Sequence, residues 1–414
     1  MSNLFNADFI GRLALGGCLA LQAYVLLFCV YVFVPVIFYL FFAARIRQLF
    51  RPRATAGGAA QTDFILLVPA HNEAELLPGL LASIGRLNYP AGRFRTIVVA
   101  DNCTDSTALL ARQAGAECLE RTTAYPSNKS QALRHAAGQP GFGLPCPAAV
   151  VCVLDADCRL DPQFLAELDC HFAQPGAAPV VQCNRRVANA FESDVTVLDA
   201  AAEAMRQQVL LGTRQLLGLE AFIYGLGCCL RAEVFAHLMA QPIISLAEDK
   251  EWKAYLAAAE VPVAYCATAS VSYQTVSDGA AFRRQRQRWL AGQFASARAH
   301  GLLMLAQGLR RGRLSQLDFA CDLLQPPRSC LLIAAVIFGA VAGLAGSWSL
   351  VSMWVWLGLA TCLLAYGALG LKLVGAAPRH FLALFSGARL VADVARSVML
   401  ILVGYKEKDW KATR

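Results

Sequence analysis

The chain has 414 residues, of which 57% are hydrophobic and only 16% are charged. An ordinary soluble protein carries about 25% charged residues, so this composition excludes a wholly soluble chain and places part of it in lipid. The net charge is +8, but no recognisable nucleic-acid-binding module accompanies it, which argues against nucleic acid as a partner. The 15 cysteines are scattered and form no Cys-x-x-Cys pair, which is typical of buried, reduced thiols.

An apolar segment near the start of the chain predicts a membrane-spanning helix. No charged residue interrupts Leu13 to Ala44, and about 20 apolar residues suffice to cross the hydrocarbon core, so we expect one span within Gln22 to Ala44. The segment is too long for a secretory signal peptide and lacks a basic start, which favours a retained anchor. The positive-inside rule puts its C-terminal end in the cytoplasm, because four arginines follow: Arg45, Arg47, Arg51 and Arg53.

A second uncharged run extends from Ser329 to Leu371, which is long enough for two crossings with a turn near Gly346 to Ser349. Basic residues follow this run too, at Lys372, Arg379, Lys406, Lys408 and Lys411. The basic residues that follow the two apolar segments therefore predict the same topology. We expect a multi-pass protein of the inner (plasma) membrane with about three spans, in which the central domain and the C-terminus are cytoplasmic.

The predicted organisation has five parts. In chain order they are a transmembrane anchor with its basic flank (1–53), an α/β catalytic domain (54–280), basic interfacial helices (281–328), two transmembrane helices (329–375), and an interfacial helix with a basic tail (376–414). The arginine-rich stretch 283–313 has too many charges for a core and too few apolar residues for a span, which favours an amphipathic helix at the membrane surface. Segment 382–403 holds Arg389, Asp393 and Arg396 on one helical face and is predicted to lie in the interface or against the domain.

Short apolar runs alternate with helical patterns after residue 60. Strands are predicted at Phe64 to Val68, Thr96 to Ala100 and Val150 to Leu154, with helices at Glu73 to Gly85 and from Thr104. This βαβ order predicts an α/β fold with a parallel sheet. Polar side chains follow each strand, and ligands bind at the carboxyl ends of such sheets.

One of these polar groups is Asp155-Ala156-Asp157, which follows the third predicted strand. Two carboxylates at this spacing can hold Mg²⁺ or Mn²⁺, hard cations that bind carboxylate and phosphate oxygens together. Taken alone the triplet is weak, because aspartate also ends strands and caps helices, as Asp161-Pro162 does nearby. Its neighbours in the sequence strengthen the interpretation.

Five motifs occur in one order over residues 63 to 300 and together resemble those of the membrane-bound family 2 glycosyltransferases. That group contains hyaluronan, chitin, cellulose and poly-N-acetylglucosamine synthases and ceramide-glucosyltransferase-like enzymes. The motifs are Val68-Pro69-Ala70-His71-Asn72-Glu73, Asp101-Asn102-Cys103-Thr104-Asp105-Ser106-Thr107, Asp155-Ala156-Asp157, Glu248-Asp249 and Gln285-Arg286-Gln287-Arg288-Trp289. The resemblance implies a GT-A (Rossmann-like) domain.

The resemblance also implies the residues that hold the donor. The loop that contains Pro69, Ala70, His71 and Glu73, together with Asp101, is expected to hold the uridine of a UDP-sugar. Further donor contacts are expected from Lys129, which lies near the nucleotide, from Asp155, and from Asp157, which binds the metal ion. A solvated helix start is the alternative for Lys129. Metal binding by His71 is not expected, because the other histidines form no motif with it.

On the acceptor side, the resemblance assigns Asp249 as the general base that removes the proton of the attacking hydroxyl. The family triplet is commonly Thr-Glu-Asp, but here it is Ala247-Glu248-Asp249, so one hydroxyl contact is missing and Glu248 remains an alternative. The Gln-x-x-Arg-Trp motif places Arg288 near the diphosphate and Trp289 as a stacking platform, with Gln285 beside them. A membrane-interface anchor is the alternative for the arginine and tryptophan.

We therefore expect an inverting, metal-dependent enzyme that moves a sugar from a UDP-sugar to a growing polysaccharide or lipid-linked acceptor. Addition of one sugar to a membrane lipid is the alternative, since about three spans hardly enclose a polysaccharide channel. Membrane lipids are expected partners, and a second copy or an export partner is left open.

Two other classes of protein do not fit the sequence. A Rossmann oxidoreductase would need Gly-x-Gly-x-x-Gly after the first strand, which Val68 to Glu73 lacks. A transporter would carry charges inside its spans, and these segments hold none.

Overall fold

The computed structural model describes residues 7–53, 60–124, 128–142, 149–243 and 248–402. Within these ranges the strands are β1 (Phe64–Ala70), β2 (Phe94–Asp101), β3 (Glu117–Arg121), β4 (Val150–Val153), β5 (Cys158–Leu160), β6 (Val180–Val187), β7 (Cys228–Arg231) and β8 (Val263–Tyr273). The helices are α1 (Ala7–Leu49), α2 (Leu77–Ile84), α3 (Thr107–Gln113), α4 (Lys129–Ala137), α5 (Phe164–Phe172), α6 (Asp194–Ala204), α7 (Gly212–Leu216), α8 (Ala232–Ala240), α9 (Glu248–Ala258), α10 (Gly279–Ser296), α11 (Leu302–Arg311), α12 (Leu314–Leu324), α13 (Arg328–Leu344), α14 (Met353–Leu373) and α15 (Ala383–Leu402).

The strands form one sheet in the order β3-β2-β1-β4-β7-β6-β8-β5. The first four are parallel, as the βαβ pattern predicts, and β1 is buried along its whole length. Two helices begin later than predicted. The turn from Glu73 precedes α2, whose start at Leu77 suits Pro78 in the first turn. The carboxylate of Asp105 accepts hydrogen bonds from Thr107 and fixes the start of α3 there.

The remaining strands make the sheet mixed, which corrects the expectation of a parallel sheet. Strand β7 is antiparallel to both β4 and β6, and β5 is antiparallel to β8. The segment between β6 and β7 is one long helical stretch, in which the π-helical turn Met205–Leu211 joins α6 to α7. A strand of only four residues such as β7 carries no periodicity that reveals its direction, so the sequence could not show this reversal.

Two helices of the described chain are long and apolar enough to cross a membrane, namely α1 from Gly11 onward and α14. Helices α12 and α13 form a third candidate when taken together, as a pair bent by 72°. Helix α13 alone has only 17 residues, so the predicted number of about three spans depends on this bent pair. The predicted turn is present at Gly346–Trp348, where the Gln22 side chain donates a hydrogen bond to the Trp348 carbonyl at 2.7 Å.

Helix α1 is longer than the predicted span, because it continues through Ala44 into the soluble domain. Its last turns are covered by protein. Ile46 is fully buried in a cluster with Met205 and Val209 of the π-helical turn, and the Phe50 ring contacts that of Tyr265 in β8. The anchor and the catalytic domain therefore share a packed core.

The basic segment 283–313 is not one surface helix. Helices α10 and α11 are joined by a π-helical turn at Ala297–Gly301, and Gly312 ends α11 with a positive φ of 65°. One side of α10 is packed on protein, since Phe282, Gly292 and Ser296 are buried. Helix α15 lies against α6, α10 and α13, which matches the packed alternative for segment 382–403. The location of these helices at a membrane surface stays a prediction, and the tail lysines lie outside the described residues.

Helix α14 meets α6 at a glycine that admits no side chain. A Cβ atom at Gly370 would lie 2.7 Å from the Ala201 carbonyl oxygen and 3.0 Å from Cγ of Met205. Such overpacking costs about 1–3 kcal/mol, so we expect Gly370→Ala to lower the thermal midpoint of the detergent-solubilised protein. The matched control on the same helix is Gly358→Ala, where nothing lies within 4 Å of the added atom. Equal midpoints for the two variants would contradict the close contact.

Candidate active site

The carboxyl ends of β1 and β4 open on a cavity of about 770 Å³. Parallel strands end on the same edge of a sheet, which is why side chains that are distant in sequence meet there. The cavity is lined by most of the site residues that the sequence predicts: Pro69, Glu73, Lys129, Asp155, Asp157, Asp249, Gln285, Arg288 and Trp289.

The other three predicted donor contacts, Ala70, His71 and Asp101, are not among the described residues that line this cavity, and their role in donor binding stays a prediction. Nδ1 of His71 lies 2.7 Å from the Asp101 carbonyl oxygen, while the fully buried Asp101 carboxylate pairs with Arg121 and accepts a hydrogen bond from the Asn128 N–H. These contacts join the ends of β1, β2 and β3 to the start of α4.

A buried ammonium group links two of the predicted carboxylates. Nζ of Lys129 lies 2.6 Å from Oδ1 of Asp155 and 3.7 Å from Oε1 of Glu248. Burial lowers the pKa of Lys129, but the Asp155 and Glu248 carboxylates outweigh burial and raise this pKa above its ordinary value. Lys129 is therefore fully charged at neutral pH. The alternative of a solvated helix start does not fit, since this side chain is only 17% exposed.

Asp249 and Glu248 open α9 and face the same cavity. Burial raises the pKa of each carboxyl group, and the charge of Asp249 raises that of Glu248 further, whereas Lys129 opposes the shift for Glu248. An enclosed carboxylate with a raised pKa is a better proton acceptor at neutral pH than an ordinary one. Gly225, which also lines the cavity, has a positive φ of 74°, a backbone conformation that favours glycine.

The Gln-x-x-Arg-Trp motif lies on α10, where Gln285, Arg288 and Trp289 line one wall of the cavity. The Trp289 side chain is 43% exposed, so its ring is accessible for stacking. Oε1 of Gln285 is buried and has no hydrogen-bond partner among the described residues. A buried acceptor without a partner is costly, which points to a donor group on a ligand. Arg286, between them, pairs with Asp199 of α6 at 2.8 Å and fixes the wall to the domain.

The sequence did not reveal a cluster of charges around Tyr224 in the same cavity. Arg185 of β6 makes paired hydrogen bonds of 3.0 Å to Glu203, which also pairs with Arg206. The guanidinium of Arg185 lies 4.8 Å from the centre of the Tyr224 ring. Nζ of Lys250 lies 5.6 Å from the same ring centre and forms an ion pair with Asp322. These residues belong to none of the motifs. No local sequence signal marks them, and the π-helical turn beside Glu203 has no sequence signature either.

The described residues contain no group of three or more His, Cys, Asp or Glu side chains that could hold a metal ion by themselves. Asp155 and Asp157 nevertheless line the cavity together, and the Asp155 side chain is 40% exposed. Mg²⁺ in nucleotide enzymes is commonly bound by one or two carboxylates plus phosphate oxygens and water. The residues present therefore fit a cation that arrives with a diphosphate.

An α/β sheet with carboxylates, a lysine and a Gln-x-x-Arg-Trp wall around one cavity defines a glycosyltransferase. The chain belongs to the glycosyltransferase-like family 2, whose sequence profile matches residues 61–292. It is also 33% identical over 115 residues to uncharacterized glycosyltransferases of Mycobacterium tuberculosis and Mycobacterium bovis. That match covers 25% of this chain and 43% of each relative, so the chain spans less than half the length of these relatives.

Solved structures give the fold. A mannosyltransferase from Pyrobaculum calidifontis, in complex with GDP-Man and Mn²⁺, matches 93% of this chain and 100% of its own, with a TM-score of 0.55 and 17% identity. This likeness identifies the domain as GT-A and includes the flanking helices. Glucosyl-3-phosphoglycerate synthase from Mycobacterium tuberculosis, with Mn²⁺ and UDP, matches 59% of this chain and 85% of its own at 17% identity, with a TM-score of 0.41.

The Glu203 cluster predicts a large effect on stability. Because Glu203 pairs with two arginines and is only 4% exposed, Glu203→Gln leaves buried guanidinium groups without a counter-charge. Removing one partner of a buried ion pair costs about 3–5 kcal/mol, and we expect that loss in the free energy of unfolding. The matched control is Glu233→Gln on α8, an exposed position where little change is expected. Similar denaturation midpoints for both variants would contradict a structural role for the cluster.

Proposed function

We propose that this enzyme transfers a sugar, with inversion, from a UDP-sugar to a lipid-linked or polysaccharide acceptor at the cytoplasmic face of a membrane. The observation that carries the proposal is that one cavity joins the carboxylates after β4 and at the start of α9 to apolar residues of helices long enough to span a membrane. A nucleotide sugar is polar and a lipid is not. One cavity with both kinds of wall suits a reaction between them.

The donor belongs at the end of the cavity next to β1 and β4, where Glu73, Lys129 and Asp155 lie. A UDP-sugar carries two charged phosphate groups. If a cation binds Asp155 and Asp157, the Lys129 ammonium group can pair with these phosphates instead of with Asp155. Arg288 on the opposite wall offers a second charge to the diphosphate. The proposed supporting role of Ala70, His71 and Asp101 is to fix the loops around the uracil.

A divalent ion at Asp157 and Asp155 would stabilise the negative charge that develops on the leaving diphosphate. The Mn²⁺ in the Pyrobaculum mannosyltransferase supports the choice of Mg²⁺ or Mn²⁺. That enzyme holds GDP-Man rather than a UDP-sugar, so the base of the donor is part of the test.

The proposed chemistry is one displacement at the anomeric carbon. The Asp249 carboxylate takes the proton from the acceptor hydroxyl as its oxygen forms a bond to the anomeric carbon and the bond from that carbon to the diphosphate oxygen breaks. The nucleoside diphosphate leaves with the bonding electrons. Attack from the side opposite the leaving group inverts the configuration. Gln285 and Trp289 line the wall on which the acceptor would rest, and the buried Gln285 oxygen suits one of its hydroxyl groups.

Addition of a sugar to a lipid or lipid-linked acceptor is favoured over synthesis of a long polysaccharide. The apolar wall of the cavity is made by Val32 of α1, Leu332 of α13 and Leu363 of α14. A growing glycan would need polar partners along its whole exit path, since unpaired hydroxyl groups are costly in an apolar setting. A hydrocarbon chain needs none.

The first prediction of the proposal concerns the metal ion. We expect Asp157→Ala to remove transfer activity while the protein still folds, because Asp157 would be the carboxylate that binds the ion. Excess EDTA should have the same effect on the wild type, and added Mn²⁺ should reverse it. The matched control is Asp161→Asn, an exposed aspartate four residues away that does not line the cavity. Full turnover in EDTA would contradict a metal-dependent reaction.

The second prediction separates catalysis from donor binding. Asp249→Asn keeps the shape of the side chain but cannot take a proton, so turnover should fall by at least about 100-fold. The affinity for UDP should stay within about threefold of the wild type, because the donor contacts lie elsewhere. Calorimetry with Mn²⁺ and either UDP or GDP, beside transfer rates, measures both. If UDP affinity falls as far as turnover does, Asp249 belongs to the donor site and Glu248→Gln becomes the variant that identifies the base.

A further inference from the structure

One arginine of the cavity, Arg328, differs from five other basic residues along its walls, each of which has an ion pair. Ion pairs hold Lys129 to Asp155, Arg185 and Arg206 to Glu203, Lys250 to Asp322, and Arg286 to Asp199. Arg328 also lines the cavity, but no carboxylate within the described ranges pairs with it. Its Nε atom is buried without a hydrogen-bond partner in that part of the chain, and its guanidinium lies 4.8 Å from the ring centre of Tyr366.

The position of Arg328 is set by the bend between α12 and α13. Pro326 and Pro327 lie at this 72° bend, and Arg328 is the first residue of α13. Pro327 caps the helix, so the positive end of a 17-residue helix faces the same cavity wall as the guanidinium. Stacking on Tyr366 neutralises no charge. Arg328 therefore offers a fixed positive charge and hydrogen-bond donors that no carboxylate of the described ranges meets.

The surroundings of Arg328 restrict what this anion can be. Leu332 lies one turn further along α13, while Val32 of α1 and Leu363 of α14 complete an apolar wall of the same cavity. The diphosphate of the donor is expected at the other end, beside β4. An anion bound at Arg328 would lie beside this apolar wall, which suits an anion that is attached to an apolar chain. A guanidinium binds phosphate oxygens in a paired geometry, which makes a phosphate the matching group.

We propose that the acceptor is a lipid whose headgroup carries both a phosphate and a free hydroxyl group. Arg328 and the first turn of α13 bind the phosphate, the apolar wall covers the start of the tail, and the hydroxyl group reaches Asp249. This inference rests on the proposed function for the reaction and adds the class of its acceptor. It distinguishes a phosphate-bearing lipid from neutral lipids such as diacylglycerol or ceramide.

The test compares two lipids with the same acyl chains, phosphatidylglycerol and diacylglycerol. Their binding to the full chain is measured by native mass spectrometry in an uncharged, sugar-free detergent, without any nucleotide sugar. We expect the wild type to bind phosphatidylglycerol at least about tenfold more tightly, the effect of one charge-assisted contact. Arg328→Gln should reduce this preference to within about twofold, and Arg328→Lys should keep part of it.

The matched control is Arg310→Gln, which removes the same charge from an exposed position of α11 outside the cavity and should keep the full preference. Equal binding of the two lipids by the wild type, or an unchanged preference in Arg328→Gln, overturns the inference. Displacement of phosphatidylglycerol by an equal concentration of inorganic phosphate would also overturn it, because the site would then bind free phosphate.

A transfer assay separates this inference from the proposed function. Wild type is incubated with each lipid and a panel of UDP- and GDP-sugars, and the glycosylated lipid is measured. Transfer to diacylglycerol as fast as to phosphatidylglycerol overturns the acceptor class while the enzyme remains a glycosyltransferase of lipids. If the binding preference holds but no lipid accepts a sugar from any donor, the phosphate site stands, and both its acceptor role and the proposed lipid transfer fail.

Discussion

The arrangement of the active site depends on one buried ammonium group. Lys129 begins α4, Asp155 follows β4 and Glu248 begins α9, so the two contacts of Lys129 join three segments that are far apart in the sequence. Burial raises the pKa of the Glu248 and Asp249 carboxyl groups. Without a nearby cation, burial and mutual repulsion would favour their neutral forms. The charge of Lys129 opposes this upward pKa shift for Glu248, and the charges of Lys250 and Lys129 oppose it for Asp249.

Buried ion pairs also connect the cavity to the long apolar helices. Glu203 ends its helix next to the π-helical turn, and its pairs with Arg185 and Arg206 join that turn to β6. The turn packs against Ile46 of α1 and, through Met205, against Gly370 of α14. A shift of α1 or α14 would therefore move the wall of the cavity that holds Tyr224. Tight packing makes these long apolar helices part of the scaffold of the cavity rather than a passive tether.

The sequence predicted the parts of this structure that have local signals. The parallel strands were recognisable as short apolar runs, and the motif residues Asp155, Asp249 and Trp289 do line one cavity. Asp101 shows what a motif does not predict. The motif indicated a polar residue at the end of a strand, but it did not indicate that Arg121 would pair with the Asp101 carboxylate and that this carboxylate would be buried. Glu203 and Arg328 had no local signal at all. Their environment is created by tertiary contacts between segments more than 15 residues apart, which periodicity does not report.

The length of α1 gives a reason for the mixed walls of the cavity. From Gly11 to Pro35 a helix extends about 36 Å, which already covers a hydrocarbon core of about 30 Å. The turns after Pro35 are those that pack on the π-helical turn and the sheet, and Pro35 itself lines the cavity. In the proposed orientation, the cavity thus crosses the boundary between lipid and cytoplasm. The proposed amphiphilic acceptor would place its polar headgroup near Asp249 and its apolar part near Val32 and Leu363, which matches both kinds of residue along this cavity.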